Sequence, residues 1–382
     1  MISSNKISYL DYNSTTPIEP RVPDAMLPFL KDNFANSSST YNFGQSINEK
    51  VKQAREQIAD FINAETYEII FTCGATEAIN IAIKGIAESY SNKGKHIITV
   101  STEHKAVLDT CKDLERKGFE VTFLTVQPNG LIDLAELKKA IRPDTVLVSV
   151  MYVNNETGVI QPIKEIAKLA HEKGALFMTD STQVIGKIEI DVNNLGIDLL
   201  CFSGHKMFAP KGIGALYLRN KTKLTPQIHG GGHKQVLRSG TLNVPGIIAL
   251  AKACEIASEE MHLNKRNISE LKDKLETEFL KLQYTSQNGD SENIIFNTTN
   301  ICFKGQDANV FIGRMKNIVV SNVSACSSAL VEPSHVLKAM GLSDYEAFAS
   351  LRFSLGKYNS IEDIETVISK IIELTQPNFK YA

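Results

Sequence analysis

The 382-residue sequence lacks the features that mark membrane, secreted and nucleic-acid-binding proteins. No apolar run approaches the roughly 20 residues that a membrane-spanning helix needs. The N-terminal stretch MISSNKISYLDYNS has no apolar core of the kind found in signal peptides. A formal net charge of −2 gives no electrostatic reason to expect tight binding to nucleic acid or to a membrane surface. We therefore expect a cytoplasmic protein.

Cysteine is also sparse, and its spacing carries no metal signal. The six cysteines are scattered, with no C-x-x-C pair and no Cys/His spacing typical of zinc, so we predict no metal site. In a reducing compartment most of them are expected to be buried, inert thiols. Cys326 differs, because it lies in SNVSACSSALVEPSH (321–335), a run of small and polar residues typical of neither helix nor strand. Its thiol is therefore a candidate for chemistry.

Short β-branched or aromatic runs alternate with amphipathic segments over the first two-thirds of the chain. The predicted strands cover residues 68–72, 96–100, 121–126, 145–153, 175–180, 199–203 and 214–218. Helical patterns lie between them, one of them over residues 162–174, from a proline to a glycine. Because the strands are apolar on both faces, this alternation predicts an α/β fold with a largely parallel sheet covered by helices.

The last third of the chain has a different pattern. After LNVPG (242–246) we predict a long helix to about residue 283 and a hairpin over NIIFNTTNICF (293–303). Helices around 307–316 and near 360–374 complete a smaller α+β domain. We place the large domain at residues 13–262, and the small domain at residues 1–12 and 263–382.

Polar groups follow several of the predicted strands, where α/β proteins build their sites. Lys206 comes just past strand 199–203, and a desolvated lysine there would be an amine nucleophile toward an aldehyde. A solvated surface lysine is the alternative. Asp180 ends another strand, and it either caps a helix or pairs with a protonated heteroaromatic nitrogen. Gln183 would lie near the same face.

Other strand ends carry further candidates. Thr76 begins a predicted helix after a glycine-containing turn. The free N–H groups at the start of this helix could bind an anion, or Thr76 is simply the cap of an ordinary helix. His104 follows strand 96–100, and Asn155 follows strand 145–153. Each has an ordinary structural explanation, but together these groups would converge at one rim of the sheet.

A set of motifs then suggests a family. In chain order they are YLDYNSTTPIEPRV, CGATEAIN, TEHKAVLD, NNETG, TDSTQVIGK, FSGHKMFAPKGIGALY, HGGGHKQVLRSGT, SACSSALVEPSHVLKAMG and LRFSLGKYNS. From about residue 9 to residue 358 the chain resembles the cysteine desulfurases of the NifS/IscS type, which are pyridoxal-phosphate enzymes of the class V aminotransferase superfamily. The resemblance implies fold type I, as in aspartate aminotransferase, with a mainly parallel seven-stranded sheet in the large domain.

The resemblance implies a cofactor site. Lys206 is similar to the lysine that holds pyridoxal phosphate covalently, and His104 to the histidine that stacks on the ring and moves protons. Asp180 would bind the ring nitrogen, and Gln183 the ring hydroxyl. The residues that would hold the phosphate are Ala75, Thr76, Ser203 and His205. Thr241 would reach the phosphate of the neighbouring subunit, which implies a homodimer.

The resemblance also implies a substrate and a nucleophile. Asn155, beside the cofactor, and Arg352 would hold the carboxylate of L-cysteine. Cys326, in a catalytic loop at about 321–333, resembles the nucleophile that becomes a persulfide. The products would be L-alanine and sulfur for an acceptor protein. Other activities on the same scaffold stay open, namely selenocysteine lyase or another class V aminotransferase-type reaction, as does a non-enzymatic subunit that only passes sulfur.

The chain departs from the family pattern in two places. Ser37 and Tyr41 stand where members often have proline and histidine, so substrate entry or partner fit is expected to differ. The chain ends at TQPNFKYA, whereas housekeeping iron–sulfur members usually carry a further segment that docks the cluster scaffold. This departure argues against the cluster scaffold as partner and favours a more specialised pathway, such as tRNA thiolation or DNA phosphorothioation. The sulfur acceptor stays open among iron–sulfur assembly, tRNA thiolation and DNA phosphorothioation, and we expect no tight nucleic-acid binding by this chain.

Overall fold

The computed structural model describes residues 7–230, 237–322 and 332–376. The strands are β1 Ser8–Tyr9, β2 Ile69–Thr72, β3 His96–Val100, β4 Glu120–Leu124, β5 Thr145–Ser149, β6 Leu176–Asp180, β7 Leu199–Ser203, β8 Gly214–Leu218, β9 Thr285–Gln287, β10 Thr298–Phe303, β11 Ile318–Val319 and β12 Ser350–Ser354. The α-helices are α1 Arg21–Lys31, α2 Asn42–Asp60, α3 Ala75–Ser89, α4 Lys105–Arg116, α5 Leu134–Ala140, α6 Ile163–Glu172, α7 Val244–Leu280, α8 Ala308–Arg314, α9 His335–Ala339, α10 Asp344–Phe348 and α11 Ile361–Thr375. Short 3-10 turns occur at Thr66–Glu68 and Gly204–Lys206.

A seven-stranded sheet forms the centre of the first region, in the order β2-β8-β7-β6-β5-β3-β4. All neighbours are parallel except β8, which is antiparallel to both β2 and β7. Every residue of β3, β5, β7 and β8 is buried, as expected for strands covered on both faces. The predicted α/β class with a mainly parallel sheet is therefore confirmed.

Helices cover both faces of this sheet, and alternate strand residues point to different cores. Phe177 of β6 belongs to the core that includes α2, α6 and the first half of α7. Its neighbour Met178 belongs to the core on the other face, with α3 and α4. The alternation leaves only the strand ends and their loops free to present polar side chains.

The second region is built on an antiparallel sheet in the order β12-β10-β9. Its core contains packed aromatic rings: the Phe279 ring is tilted against Phe353, with centroids 4.9 Å apart, and meets Phe303 edge to face at 5.6 Å. The N-terminal strand β1 pairs with β11 of this region in parallel. Helix α7 contributes residues to both cores, so the domain boundary proposed at residues 262 and 263 falls inside a helix and stays a prediction.

The predicted hairpin over residues 293–303 is wrong. Only β10 forms there, and its partners are β9 and β12. The first half of the motif turns to the first region instead: Ile160 N donates to Asn293 O at 2.8 Å, and Ile295 N donates to Gly158 O at 2.9 Å. These backbone groups are satisfied by another loop, so they have no need of a hairpin partner.

Within the described ranges, no helix combines the length and the apolar character that crossing a bilayer requires.

Candidate active site

A cavity of about 620 Å³ opens where several strands of the large sheet end. Its lining includes these residues singled out from the sequence: Ala75, Thr76, His104, Asn155, Asp180, Gln183, Ser203, His205, Lys206 and Arg352. Most of them lie at the end of a strand or within a few residues after it, because the carboxyl ends of parallel strands meet at one edge of the sheet. Arg352 is the exception, since it lies on β12 of the second region.

One end of the cavity is suited to an anion. Helix α3 begins there after Gly74, and no side chain caps its first N–H groups. A side chain at Gly214 would meet Phe202 O at 2.5 Å and Gly74 Cα at 2.7 Å, so glycine permits β8 to approach this turn. The hydroxyl groups of Thr76 and Ser203 line the same cavity. A phosphate fits this combination of free N–H groups, hydroxyls and the helix dipole.

Lys206 lies in the short turn that follows β7, with its amine directed to the start of the chain. Its Nζ donates to Asn13 O and to Ser14 O, each at 2.6 Å. Burial, followed by repulsion from Arg352, lowers the pKa of Lys206 to about 8. About a tenth of this amine is therefore uncharged at pH 7, far more than for an ordinary lysine, and the uncharged form is the one that reacts with an aldehyde.

Asp180 and His104 are held by the backbone near them. Asp180 is only 6% exposed at the end of β6, and its Oδ1 accepts a hydrogen bond from Thr182 N at 2.9 Å. His104 is the N-cap of α4, and its Nδ1 accepts a hydrogen bond from Ala106 N at 3.1 Å. The proton of the neutral ring is consequently on Nε2.

His205 and Gln183 complete this wall. Burial and the neighbouring lysines lower the pKa of His205 to about 4, so the ring is neutral at pH 7. Gln183 Nε2 donates to Asn13 O at 3.0 Å. Lys187 Nζ donates to Gln183 O at 2.9 Å, and burial lowers the pKa of this second lysine to about 7. Gln183 is thus held through both its side chain and its backbone.

Arg352 faces this group from the second region. It is 3% exposed, and its Nη1 donates to Asn155 O at 2.8 Å. Its Nη2 donates to Asp11 Oδ1 and, at 3.1 Å, to Ser14 Oγ. A buried guanidinium at the wall of a cavity is suited to binding a carboxylate.

This geometry agrees with a match to a known family. A family model described as Aminotransferase class-V matches residues 8–367. The chain belongs to the class V aminotransferases.

Individual relatives resemble this class V aminotransferase over nearly its whole length. The "Cysteine desulfurase IscS" of Methylococcus capsulatus is 49% identical over 366 residues, which are 95% of this chain and 91% of the relative. A solved structure described as "NIFS-LIKE PROTEIN" has a TM-score of 0.90 and 36% identity, and the match covers 96% of this chain and 99% of that one. Another, "SspA in complex with cysteine", has a TM-score of 0.82 and 40% identity, with 92% and 99% covered. The predicted family and fold type are confirmed.

Class V aminotransferases use pyridoxal phosphate, and the cavity residues fit this cofactor. The uncapped start of α3 suits the phosphate, Asp180 suits a protonated ring nitrogen, and Lys206 suits the aldehyde. In addition, Thr182 lines the cavity, and its buried Oγ1 has no hydrogen-bond partner among the described residues. Such an orphaned hydroxyl is expected where a polar ligand binds.

The described part of this class V aminotransferase does not bring the predicted residue Thr241 into the cavity. Thr241 lines a neighbouring cavity of about 60 Å³ instead, although Cys73 and Gly212 line both cavities. Cys326 lies outside the described residues, so its role stays a prediction.

The described residues on either side of the Cys326 segment contact the cavity surroundings. Ser321 pairs with Arg352, its N donating to Arg352 O at 3.2 Å and its O accepting from Arg352 N at 2.7 Å. Beyond the segment, Ser334 Oγ donates to Glu156 Oε2. His335 Nε2 lies 2.9 Å from Glu103 O, next to His104.

Sequence reasoning missed two residues of this class V aminotransferase that organise the cavity, Asp11 and Asn13. Asn13 O accepts hydrogen bonds from Lys206 and Gln183, and its Nδ2 donates to Asn155 O at 3.2 Å. Both residues belong to the motif YLDYNSTTPIEPRV, which identified the family without indicating a role for them. Their contacts span most of the chain, and no local pattern predicts such pairs.

Proposed function

We propose that this protein is a cysteine desulfurase that removes sulfur from L-cysteine, with pyridoxal phosphate as cofactor. The products are L-alanine and a persulfide on Cys326. One observation carries the proposal: both sides of the segment that contains Cys326 are hydrogen-bonded at or next to the cavity wall. Ser321 pairs through its backbone with Arg352, which lines the cavity, and Ser334 donates to Glu156, the neighbour of the lining residue Asn155. The names of the curated relatives, and the neighbour described as bound to cysteine, support the same reaction.

Each wall of the cavity has a task in this reaction. Pyridoxal phosphate, when bound, supplies an electron-accepting ring next to the Cα of the substrate. Asp180 would hold a proton on the ring nitrogen, and the start of α3 would bind the phosphate. Lys206 would hold the cofactor, and its free amine would accept the Cα proton of the substrate, because its pKa of about 8 leaves it partly uncharged. Arg352 and Asn155 bind the substrate carboxylate.

Sulfur transfer then needs a thiolate. The Cys326 thiolate attacks the sulfur of the bound substrate, so that a sulfur–sulfur bond forms while the carbon–sulfur bond breaks. The electron pair of the broken bond stays with the substrate carbon, which is protonated and leaves as L-alanine. His104 carries its proton on Nε2 and is placed to exchange protons at the cavity wall.

Exchange of Cys326 for serine tests the proposal. Cys326→Ser should still bind L-cysteine and change the absorbance of the cofactor, yet release no sulfide in the presence of a reductant. Sulfide release at the normal rate would show that another thiol is the nucleophile.

The matched control is Cys73→Ser, because Cys73 is a described thiol that lines the cavity. A hydrogen bond with Glu77, together with burial, raises the pKa of Cys73, which makes it a poor nucleophile. Cys73→Ser should therefore keep sulfide release within about twofold of the unchanged protein.

We also propose a homodimer in which Thr241 completes the phosphate site of the partner. An exposed apolar surface supports association: Leu30 is 58% exposed, Phe34 73% and Tyr41 56%. Tyr41 is one of the two departures from the family pattern, and neither it nor Ser37 lines the cavity.

The molecular mass in solution, by light scattering, tests the dimer. Trapping a mixed disulfide at Cys326 would identify the acceptor protein, whose pathway stays a prediction.

A further inference from the structure

Within the protein itself, the guanidinium of Arg352 already binds a carboxylate. Asp11 forms an ion pair with Nη2 of Arg352, and the two side chains are only 15% and 4% exposed. The same Nη2 donates to Ser14 Oγ at 3.1 Å, while Nη1 donates to Asn155 O at 2.8 Å. Nε is buried and has no hydrogen-bond partner among the described residues. Nη1 and Nη2 of this arginine therefore already donate hydrogen bonds, whereas Nε donates none to the described residues.

The geometry of a guanidinium limits how a second carboxylate can bind. Nη2 has two hydrogens, and Asp11 and Ser14 take both of them. A carboxylate that makes two parallel hydrogen bonds uses either Nε and Nη2 or the two Nη atoms. Both arrangements include Nη2. A substrate carboxylate can thus bind in this way only after Asp11 or Ser14 has left.

Ser14 is the easier of the two to displace. It is exposed, and its neutral hydroxyl can rotate away at little cost. The ion pair of Asp11 is stronger, and its backbone is fixed, since Asp11 O accepts hydrogen bonds from Tyr9 Oη and Ser14 N, each at 3.0 Å. The Asp11 backbone also forms a β-bridge with Ser354, two residues from the arginine on β12.

We propose that Asp11 is a specificity-determining residue that stays on Arg352 while the substrate carboxylate displaces Ser14, and that its charge limits the affinity for amino-acid substrates. This inference rests on the proposed function, in which Arg352 holds the substrate carboxylate. Because the positive charge is balanced before the substrate arrives, the carboxylate gains hydrogen bonds but little net attraction. The product L-alanine has the same carboxylate, so a moderated affinity also favours its release.

The test compares two ligands that differ only in the carboxylate, L-cysteine and cysteamine. Their dissociation constants are measured on the cofactor-loaded Cys326→Ser protein, by absorbance titration and by calorimetry, with and without Asp11→Asn. Removal of the negative charge should tighten L-cysteine binding roughly three- to tenfold and leave cysteamine within about twofold. Asp11→Ser is the second variant, in case the amide disturbs folding, which thermal unfolding reports.

Three outcomes are distinguishable. Tighter binding of L-cysteine alone supports the inference. Weaker binding of L-cysteine overturns it, because Asp11 would then only orient Arg352. Equal changes for both ligands also overturn it, because Asp11 would then act only through the overall electrostatic potential of the cavity. Arg352→Gln tests the underlying proposal separately: if this variant still prefers L-cysteine over cysteamine to the normal degree, Arg352 does not hold the carboxylate and the proposed substrate site is wrong.

Discussion

The two walls of the cavity are built in different ways. On one wall, Asp180, Ser203 and Lys206 lie at or just beyond the ends of their own strands in the large sheet. On the other, Arg352 is paired with Asp11, which is 341 positions away in the sequence. Asn13 lies between the walls, and its N donates to Ser354 Oγ at 3.0 Å.

The difference separates chemistry from substrate binding. The strand-end residues are fixed by a sheet whose strands are buried on both faces, so they are expected to keep their geometry when the second region is perturbed. The carboxylate-binding wall depends on how the second sheet packs against the N-terminal segment. Changes in that packing should alter the binding of substrate before they alter the reaction.

Removal of the amine from the strand-end wall should have the largest effect. Lys206→Ala is expected to eliminate the visible absorbance of lysine-bound cofactor and to reduce desulfurase turnover by at least roughly a thousandfold. In the unchanged protein, turnover should rise with pH through about 8, because the free amine then loses its proton and can accept one from the substrate.

Lys211→Ala is the control for this change, since Lys211 lines the same cavity but is exposed. It should keep the absorbance band. A normal cofactor spectrum in Lys206→Ala would refute the assignment of the lysine and, with it, the division between the two walls.

The strand-end wall is also the part that the sequence predicts well. Runs such as LLCFS and ALFMTD are largely apolar, and the predicted strands at 199–203 and 175–180 lie within one residue of β7 and β6. A polar residue directly after such a strand must lie at the carboxyl edge of the sheet. The positions of Lys206 and Asp180 along the chain are therefore enough to predict that they lie near each other.

The other wall could not be predicted in this way. The residues around Asp11 and those around Arg352 give no indication that the two side chains are in contact. Their contact depends on the pairing of β1 with β11 and on the bridge from Asp11 to β12. The same limit explains the wrong hairpin at 293–303, where two apolar runs flank the polar stretch NTTN but the backbone hydrogen bonds of the first run go to residues 158–160. The family motifs named Arg352 as a substrate residue, but not its internal partner.

Asn13 connects the two walls, and its loss should have an intermediate effect. Asn13 is 2% exposed, and its Nδ2 donates to Thr298 Oγ1 at 3.0 Å and to Asn155 O at 3.2 Å. Asn13→Ala should weaken binding of L-cysteine about tenfold and destabilise the protein by about 1–3 kcal/mol. Substrate titration and denaturant unfolding measure the two effects.

Asn288→Ala is the matched control, because Asn288 is another buried asparagine next to the second sheet. Its Nδ2 makes two hydrogen bonds, to Asn300 Oδ1 at 2.8 Å and Ser350 Oγ at 2.9 Å, but it does not line the cavity. The two variants should lose similar stability, and only Asn13→Ala should lose affinity. Equal losses of affinity would mean that the whole second region, rather than Asn13, positions the walls.

The smallest effect is expected at Glu156, where the rim of the large sheet meets the start of α9. Burial raises the pKa of Glu156 to about 7, despite the hydrogen bond from Ser334 Oγ. At pH values between 4.5, the unfolded pKa of Glu156, and about 7, its folded pKa, the folded protein binds one proton more than the unfolded protein. The neutral carboxyl therefore stabilises the fold at low pH, and this contribution is lost as the pH rises through 7. In Glu156→Gln the melting temperature, relative to the unchanged protein, should therefore increase from pH 5 to pH 8.

Glu19→Gln should show the opposite pH dependence of stability, because the pKa of Glu19 is lowered and that of Glu156 is raised. Glu19 does not line the cavity. Burial opposes ionisation of Glu19, but hydrogen bonds from Arg21, Lys357 and Tyr358 outweigh it and lower its pKa to about 2. Its ionised form stabilises the fold above pH 4.5, so Glu19→Gln should be most destabilising near neutral pH and progressively less so in acid. If the melting temperatures of both variants shifted with pH in the same direction, the contact between Ser334 and Glu156 would involve an ordinary ionised carboxylate. The end of the Cys326 segment would then be held at the cavity by a charged hydrogen bond, and its attachment would weaken in acid instead of at alkaline pH.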